Sequence, residues 1–457
     1  DHKYDPFSQR DFYQLFAFFN NVPEVGNGGA EPNAPPLAKF LTAAEESKAV
    51  ELERLLEVAR HEVVTLKQKF EPPLDPIKAA EETVASLEKE QKQFLEDLPT
   101  TMVMAEMEKP RDTFILTRGL YNQPGAKVNA DVPAVLPPLP ADAPKDRLAL
   151  ARWLVSPDNP LTSRVTVNRF WKMHFGRGLT DTVDDLGTQG ESPTHPDLLD
   201  WLATEFIRDD WDVKALQKLI VTSATYRQSS KIQPELRQSD PENRLLARAP
   251  RLRLPAETIR DQALFASGLL VHKIGGRSVK PYQPPGVWDG VAYKLKYEQG
   301  HGEDLYRRSM YTFWKRTVPP PSMMLLDAPS RDICLTARSS TNTPLQSLLL
   351  MNDTTYVEAA RFIGQRMLLE GGTSSDERLT YGYRLVLPSA PDVEDLKILS
   401  KALDRYLRKY GEDRTAAKKL VGVGESPADK RLDTDELAAY TAIGSVILNL
   451  DKTITRD

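Results

Sequence analysis

The stretch from Leu37 to Leu98 limits what this chain can fold into more than any other. Its apolar positions Ala49, Leu52, Leu56, Ala59, Val63, Leu66 and Phe70 alternate steps of three and four, which keeps one stripe of a helix against a partner helix. After the turn sequence EPPLDP, the positions Ile77, Ala80, Val84, Leu87, Gln91, Phe94 and Leu98 repeat those steps. The outer faces carry charges of both signs. Residues 37–98 therefore read as a protruding antiparallel coiled-coil hairpin, with a spacer or docking arm as its plain use. His61 and Glu62 look like the start of a zinc-protease helix, but Thr65 stands where the second histidine belongs.

The flanking sequence is mostly helical in pattern. FSQRDFYQLFAFFNNV, residues 7–22, reads as a short and very apolar helix behind a Ser8 cap, one that needs a partner surface. PEVGNGGAEPNAPP breaks it as a loop. TFILTRG, stopped by Gly119, and NQPGAKV predict a small β element followed by the Pro-rich linker PAVLPPLP. An Asp146-led helix comes next. Helical patterns recur over 213–225, 255–271, 357–369, 376–386, 392–410 and 435–449, the last four expected to form one bundle. DLYRRSMYTFWKRTVPPPSMM reads as a strand or a tight helix ending at three prolines. The expected fold is mainly α, with boundaries at 1–36, 37–98, 99–145 and 146–457.

Two passages concentrate polar side chains against apolar helix faces. In NPLTSRVTVNRFWKMHFGRG, Arg164, Asn168, Trp171 and Phe175 share one face, and Gly176 or Gly178 supplies the C-terminal stop. A polar pair inside an aromatic face predicts a buried hydrogen-bonding network, as a loop brace or as part of a site. In DAPSRDICLTARSSTNTPLQSLLLMND, residues 327–353, Thr341, Asn342 and Thr343 suit a helix cap and Pro344 the first helical position. Leu345, Leu348, Leu349 and Met351 then give an apolar face expected to be buried. Arg338, Thr341, Asn342, Thr343, Gln346 and Asn352 are the candidate polar site here, with capping and loop bracing as the alternative. The two passages are expected to meet, with Arg338 and Asn168 on the same side of the molecule.

Other constellations are weaker. Asp181, Asp184, Asp185 and Glu191 lack the alternation of a calcium loop and read as solvated charges, and His195 before Pro196 reads as a cap or turn residue. Gly275 and Gly276 beside Arg277 and Lys280 match no phosphate-binding fingerprint. Tyr282, Trp288, Tyr293 and Tyr297 offer a ring-stacking surface, with packing as the commoner use. GESP occurs at 190–193 and 424–427, each ahead of a helix, too short to define a repeat.

Composition narrows the function classes. With 457 residues, 40% hydrophobic and 27% charged, the chain has the make-up of a globular protein of several domains. A net charge of −5 with no basic face argues against nucleic acid. A single cysteine, Cys334, excludes an intrachain disulfide and a multi-cysteine metal site; far from any histidine in sequence, it reads as a small apolar filler. No apolar run reaches transmembrane length, and the abrupt opening DHKYDP reads as a fragment.

Taken together, DHKYDPFSQRDFYQLFAFFNNV, RDTFILTRGLYNQPG, NPLTSRVTVNRFWKMHFGRGL, GESPTHPDLLDWLA, SVKPYQPPGVW, DLYRRSMYTFWKRT, TNTPLQSLLLMND, VGESPADKRLD and LNLDKTITRD resemble one family. It comprises large extracytoplasmic planctomycete proteins in which a cytochrome-c-associated domain of unknown function precedes a planctomycete-specific C-terminal domain, also of unknown function. The resemblance implies that residues 1–36 end the cytochrome-associated part and that 146–457 are the C-terminal domain. It further implies that a CxxCH haem-attachment motif lies upstream, with His2 and Lys3 beside a c-type haem and none bound covalently within this chain. Met102, Met104, Met107 and His174 are chemically able second axial ligands. A periplasmic or cell-surface setting is implied; a reaction is not.

Three functions are compatible with these features. In the first, this chain is the haem-shielding and docking body of a protein that transfers electrons. In the second it is a module that binds or hydrolyses surface polysaccharide through the 282–297 aromatics and the polar array around Arg338 to Gln346, with Asp327, Asp332 and Asp353 as candidate carboxylates. In the third it is a non-catalytic scaffold that docks a protein partner through the hairpin.

Overall fold

The computed structural model describes residues 2–24, 33–69, 74–290 and 296–456. The turn residues Glu71 to Pro73, the seam residue Phe70, most of the 23–36 loop and the ring residue Tyr293 lie outside the described residues. The chain is mainly α, with small two-stranded antiparallel sheets among its helices. It divides into two compact units, one of His2 and residues 6–153, the other of residues 3–5 and 154–456.

The first unit opens with helix α1 (Gln9–Ala17), started by a capping box in which Ser8 and Asp11 satisfy each other's backbone N–H groups. Strand β1 (Leu37–Lys39) pairs antiparallel with β2 (Thr100–Met102), placing Leu37 opposite Met102. Between these strands run helices α2 (Ala43–Lys67) and α3 (Leu74–Asp97). The helical reading from Leu37 is thus corrected: three strand residues come first, and a Thr42–Glu45 capping box starts the helix. Ion pairs Arg60–Glu88 and Lys67–Glu81 set α2 and α3 antiparallel. Leu52, Leu56, Ala59, Ile77, Ala80 and Leu98 are buried, and the other described seam positions are half-buried. Strands β3 (Thr113–Leu116) and β4 (Pro124–Val128) form the small β element, and α4 (Arg147–Leu154) comes after them. Ala149, Leu150 and Trp153 of α4 pack with Phe18, Val132 and Leu139.

In the second unit, α5 (Thr162–Phe175), α6 (Pro196–Arg208) and α7 (Val213–Thr222) enclose Val167, Trp171, Phe175, Leu202, Phe206 and Ile220. Helix α8 (Pro234–Ser239) precedes strand β5 (Leu252–Arg253) and α9 (Ala256–Ser267). The segment read as a strand or tight helix is tight helix only in short 3₁₀ pieces at Gly302–Leu305 and Ser309–Tyr311, and its prolines lead into α10 (Pro321–Leu325). Next come α11 (Pro344–Asn352), α12 (Thr354–Glu370), α13 (Ser375–Val386), α14 (Val393–Glu412), α15 (Arg414–Val421), α16 (Thr434–Leu448), α17 (Asp451–Ile454) and β6 (Thr455–Arg456).

The main core forms where α12 crosses α16. A Cβ on Gly364 would sit 2.9 Å from the Thr441 nitrogen, and one on Gly444 would sit 2.6 Å from the Ala360 carbonyl oxygen. Glycine at both positions lets the two backbones approach. Ala359, Ala360, Ile363, Met367, Tyr440, Ile443 and Ile447 fill the space around the crossing. Strand β6 returns to pair with β5, so the C-terminal end closes this unit.

Candidate functional site

Helix α5 builds one wall of a cleft. Its ridge places Trp171 and Phe175 in a stack with centroids 4.2 Å apart, and Gly176 ends the helix with φ +76°. That left-handed turn favours glycine, and here the Leu252 side chain occupies the place a Cβ would take. The chain then presents Arg177, Leu179 and Asp181 toward the GESP turn at 190–193 and the 240–250 loop. The resulting cleft is shallow, with a cavity volume of about 70 Å³, opens to solvent, and is also lined by Glu191, Glu242 and Arg244.

Its rim is a set of ion pairs. Arg177 donates to Glu242 at 2.6 Å and to Asp181 at 3.0 Å, and Arg244 approaches Glu191 at 3.4 Å. The 240–250 loop is braced from within: the Asp240 carboxylate accepts from the Arg244 and Leu245 N–H groups at 2.8 Å each, and Asn243 donates to the Arg248 carbonyl at 2.8 Å. The hydrogen bond from Arg177 holds the Glu242 carboxyl below its usual range. That is the wrong direction for Glu242 to serve as a general acid, which needs a raised pKa.

The α5 candidates divide between brace and cleft. Asn168 is buried, donating to the Thr180 carbonyl at 2.8 Å and accepting from the Thr180 N–H at 3.0 Å. It clamps the loop that carries Arg177 and Asp181. Arg164 lies outside the cleft lining, paired with Asp200 at 2.7 Å and bonded to the Pro160 carbonyl at 2.7 Å. Trp171 forms part of the cleft floor.

The 327–353 passage forms a separate polar knot. Asp327 accepts from the Thr341 N–H at 2.7 Å, from the Thr341 hydroxyl and from Gln346 at 3.2 Å. Gln346, itself buried, accepts from Arg253 at 2.8 Å and closes the capping box with Thr343. Arg338 reaches both oxygens of Glu257, at 3.0 and 2.8 Å. Asn352 bonds back to the Leu348 carbonyl at 2.7 Å, and Asn342 is exposed. The expected burial of this face is overturned at Leu345, Leu348 and Met351, which are exposed, whereas Leu349 is half-buried against the main core and Gln346 and Leu350 face inward. Arg253 and Asp327 decide this by offering partners to a buried amide. Cys334 is exposed too, so the apolar-filler reading fails. Arg338 and Asn168 share no contact; their passages are linked through β5, where Leu252 meets Gly176 and Arg253 meets Gln346.

A third cluster escaped the sequence reading. Glu358, buried on α12, accepts from the Tyr282 and Tyr306 hydroxyls at 3.1 Å each and from the Ser426 N–H at 2.8 Å. Arg361, one turn on, lies 3.4 Å away. Burial pushes the Glu358 carboxyl up and the Arg361 guanidinium down, and the surrounding donors oppose the first effect. The cluster clamps the second GESP turn, whose Gly424 has φ +90° and packs directly on the Glu358 side chain. The repeated GESP string was the available signal. Of the stacking aromatics, Tyr282 is spent here, and Trp288 packs against Tyr297 and Phe313 at 5.5 and 6.2 Å.

His2 is exposed and donates its backbone N–H to the Phe7 carbonyl at 2.8 Å; Lys3 lies over the Tyr4 ring at 4.9 Å. Thioether attachment of a c-type haem takes two cysteines, and one cysteine does not fit it. Among the described residues no group of three His, Cys, Asp or Glu is placed to hold a metal ion. No described helix is long and apolar enough to cross a membrane.

No curated protein sequence and no solved structure matches this chain. A family model described as PSD1, protein of unknown function (DUF1553), matches residues 146–403, from α4 into α14. Because that match covers more than half of the sequence and includes the α5 clamp, the cleft and the polar knot, the chain belongs to the PSD1 family of proteins of unknown function.

Proposed function

We propose that this chain is an extracytoplasmic binding module for a polyhydroxylated ligand of the surface-polysaccharide class, held in the cleft beside α5. One observation carries the reading. Three separate stretches of sequence, the α5 segment, the first GESP turn and the 240–250 loop, converge on an opening lined by Arg177, Arg244, Asp181, Glu191 and Glu242. Guanidinium and carboxylate groups in mutual pairs offer planar donors and acceptors to vicinal hydroxyls, and the braced loop holds them in place. On this reading the 282–297 aromatics and the knot at Asp327 are structural. A glycan array with the full chain is the test, repeated with Arg177→Ala and Glu191→Ala. The reading expects at least one hit, weakened about tenfold in each variant, equivalent to about 1.4 kcal/mol. An array without hits ends it.

A second reading has one observation in its favour. On α1 and just after it, Phe12, Phe16 and Phe19 are all exposed, 64%, 45% and 44%, an aromatic stripe at i, i+4 and i+7. In a c-type-cytochrome-associated protein this stripe is the face that packs on a haem-bearing segment, and the α2–α3 pair is a coiled-coil docking arm for a protein partner. A visible spectrum of the natively purified protein without haem bands removes the redox part of this reading.

A further inference from the structure

We infer that Met102, Met104 and Met107 form a thioether site for a soft monovalent cation of the Cu(I) or Ag(I) type, separate from the cleft. Three of the chain's nine methionines fall within the six residues MVMAEM. A methionine serving as core filler is buried, but here Met102 is 59% and Met104 55% exposed, and Met107 is half-buried. Their backbone is fixed, while the Met102 and Met104 side chains stand in solvent and Met107 is partly accessible. Met102 is paired in β2 opposite Leu37, and the Val103 N–H donates to the Pro36 carbonyl at 3.0 Å. The Met104 carbonyl accepts from Arg147 at 3.0 Å, and the Met107 N–H donates to the Asn21 carbonyl at 2.9 Å.

Reach and chemistry then agree. Extended backbone puts residues two apart on the same side, roughly 6.6 Å apart along the chain. From Met104 to Met107 the chain spans at most roughly 11 Å. Each side chain swings on three rotatable bonds, so the sulfurs can converge while the backbone stays in place. Thioethers are soft donors that select Cu(I)-like ions; zinc, magnesium and calcium prefer the imidazole, carboxylate and water that this trio does not supply.

The test is an Ag(I) titration of the full chain carrying Cys334→Ser, which removes the exposed thiol that would otherwise take silver. It is read by native mass spectrometry and by NMR of ¹³C-methyl-labelled methionine. The inference expects one Ag(I) per chain and methyl shifts confined to Met102, Met104 and Met107. It also expects affinity lowered about tenfold or more in a Met102→Leu, Met104→Leu variant, whose leucines preserve apolar volume. Unchanged affinity in that variant overturns the site. So do shifts at the other methionines with none at these three, a result that needs no variant to fold.

Discussion

Asn168 shows how one side chain fixes a loop. Its amide gives and takes a hydrogen bond with the Thr180 backbone, closing the turn that carries Arg177 and Asp181 to the cleft rim. Asn168→Ala leaves a buried N–H and carbonyl without these partners, at about 1–3 kcal/mol each, so a loss of about 2–6 kcal/mol in urea unfolding is expected. Asn168→Asp keeps the acceptor but sets a carboxylate against the Thr180 carbonyl, and it is expected to destabilise as well. Stability within about 0.5 kcal/mol of the original in both variants would contradict the clamp. The fold partner of Asn168 lies twelve residues away, and the sequence signal, a polar residue inside an aromatic face, was sufficient to mark it. Gln346 was marked as a polar candidate, but nothing nearby in the sequence marked it as buried. Its partners Asp327 and Arg253 lie 19 and 93 residues away, and apolar count alone put the neighbouring leucines inside. Periodicity reads burial well only where apolar contact chooses the inward face.

At the scale of elements, the crossing of α12 and α16 rests on what glycine omits. Gly444 lies against the Ala360 backbone, and Gly364 lies against the Tyr440 and Thr441 backbone in the same way. Gly444→Ala puts a methyl 2.6 Å from the Ala360 oxygen, so the helices must separate. Overpacking of this kind costs about 1–3 kcal/mol, although alanine is the better helix former by about 1 kcal/mol. The first term is expected to win, giving a net loss of up to about 2 kcal/mol by chemical denaturation. A stabilised Gly444→Ala variant would show that the crossing has slack. Both helices were legible from acidic starts and amphipathic spacing, and the observed bounds differ from the expected ones by a few residues. Their mutual approach was not, because a glycine inside a helical pattern does not say which helix it faces. The α2–α3 pair was easier to read. The two helices follow one another directly in the chain and run antiparallel, bridged by Arg60–Glu88 and Lys67–Glu81, so the nearest helix in sequence is also the partner.

At the scale of the whole molecule, the family match ends at residue 403, within α14, yet residues 404–456 complete the second unit. Helix α16 supplies Leu437, Tyr440, Ile443, Ile447 and Leu448 to the main core. At about 1.5–3 kcal/mol for each large buried side chain, these contribute on the order of 10 kcal/mol, comparable with the stability of an entire domain. Strand β6 pairs with β5 beside the cleft, and Arg456 reaches the His174 carbonyl on α5 and the Tyr226 ring at 5.1 Å. The last residues thus hold the same helix that supplies the aromatic floor. A chain ending after residue 433 is expected to lose its cooperative thermal transition and to bind a dye for exposed apolar surface, because the α12 face is left uncovered. Removing only residues 455–457 is expected to preserve that transition and to weaken cleft binding, since β5 then loses its partner while the core keeps α16. Equal ligand affinity in the second truncation would separate the cleft from the C-terminal strand, and cooperative unfolding in the first would place the core of this unit outside the α12–α16 crossing.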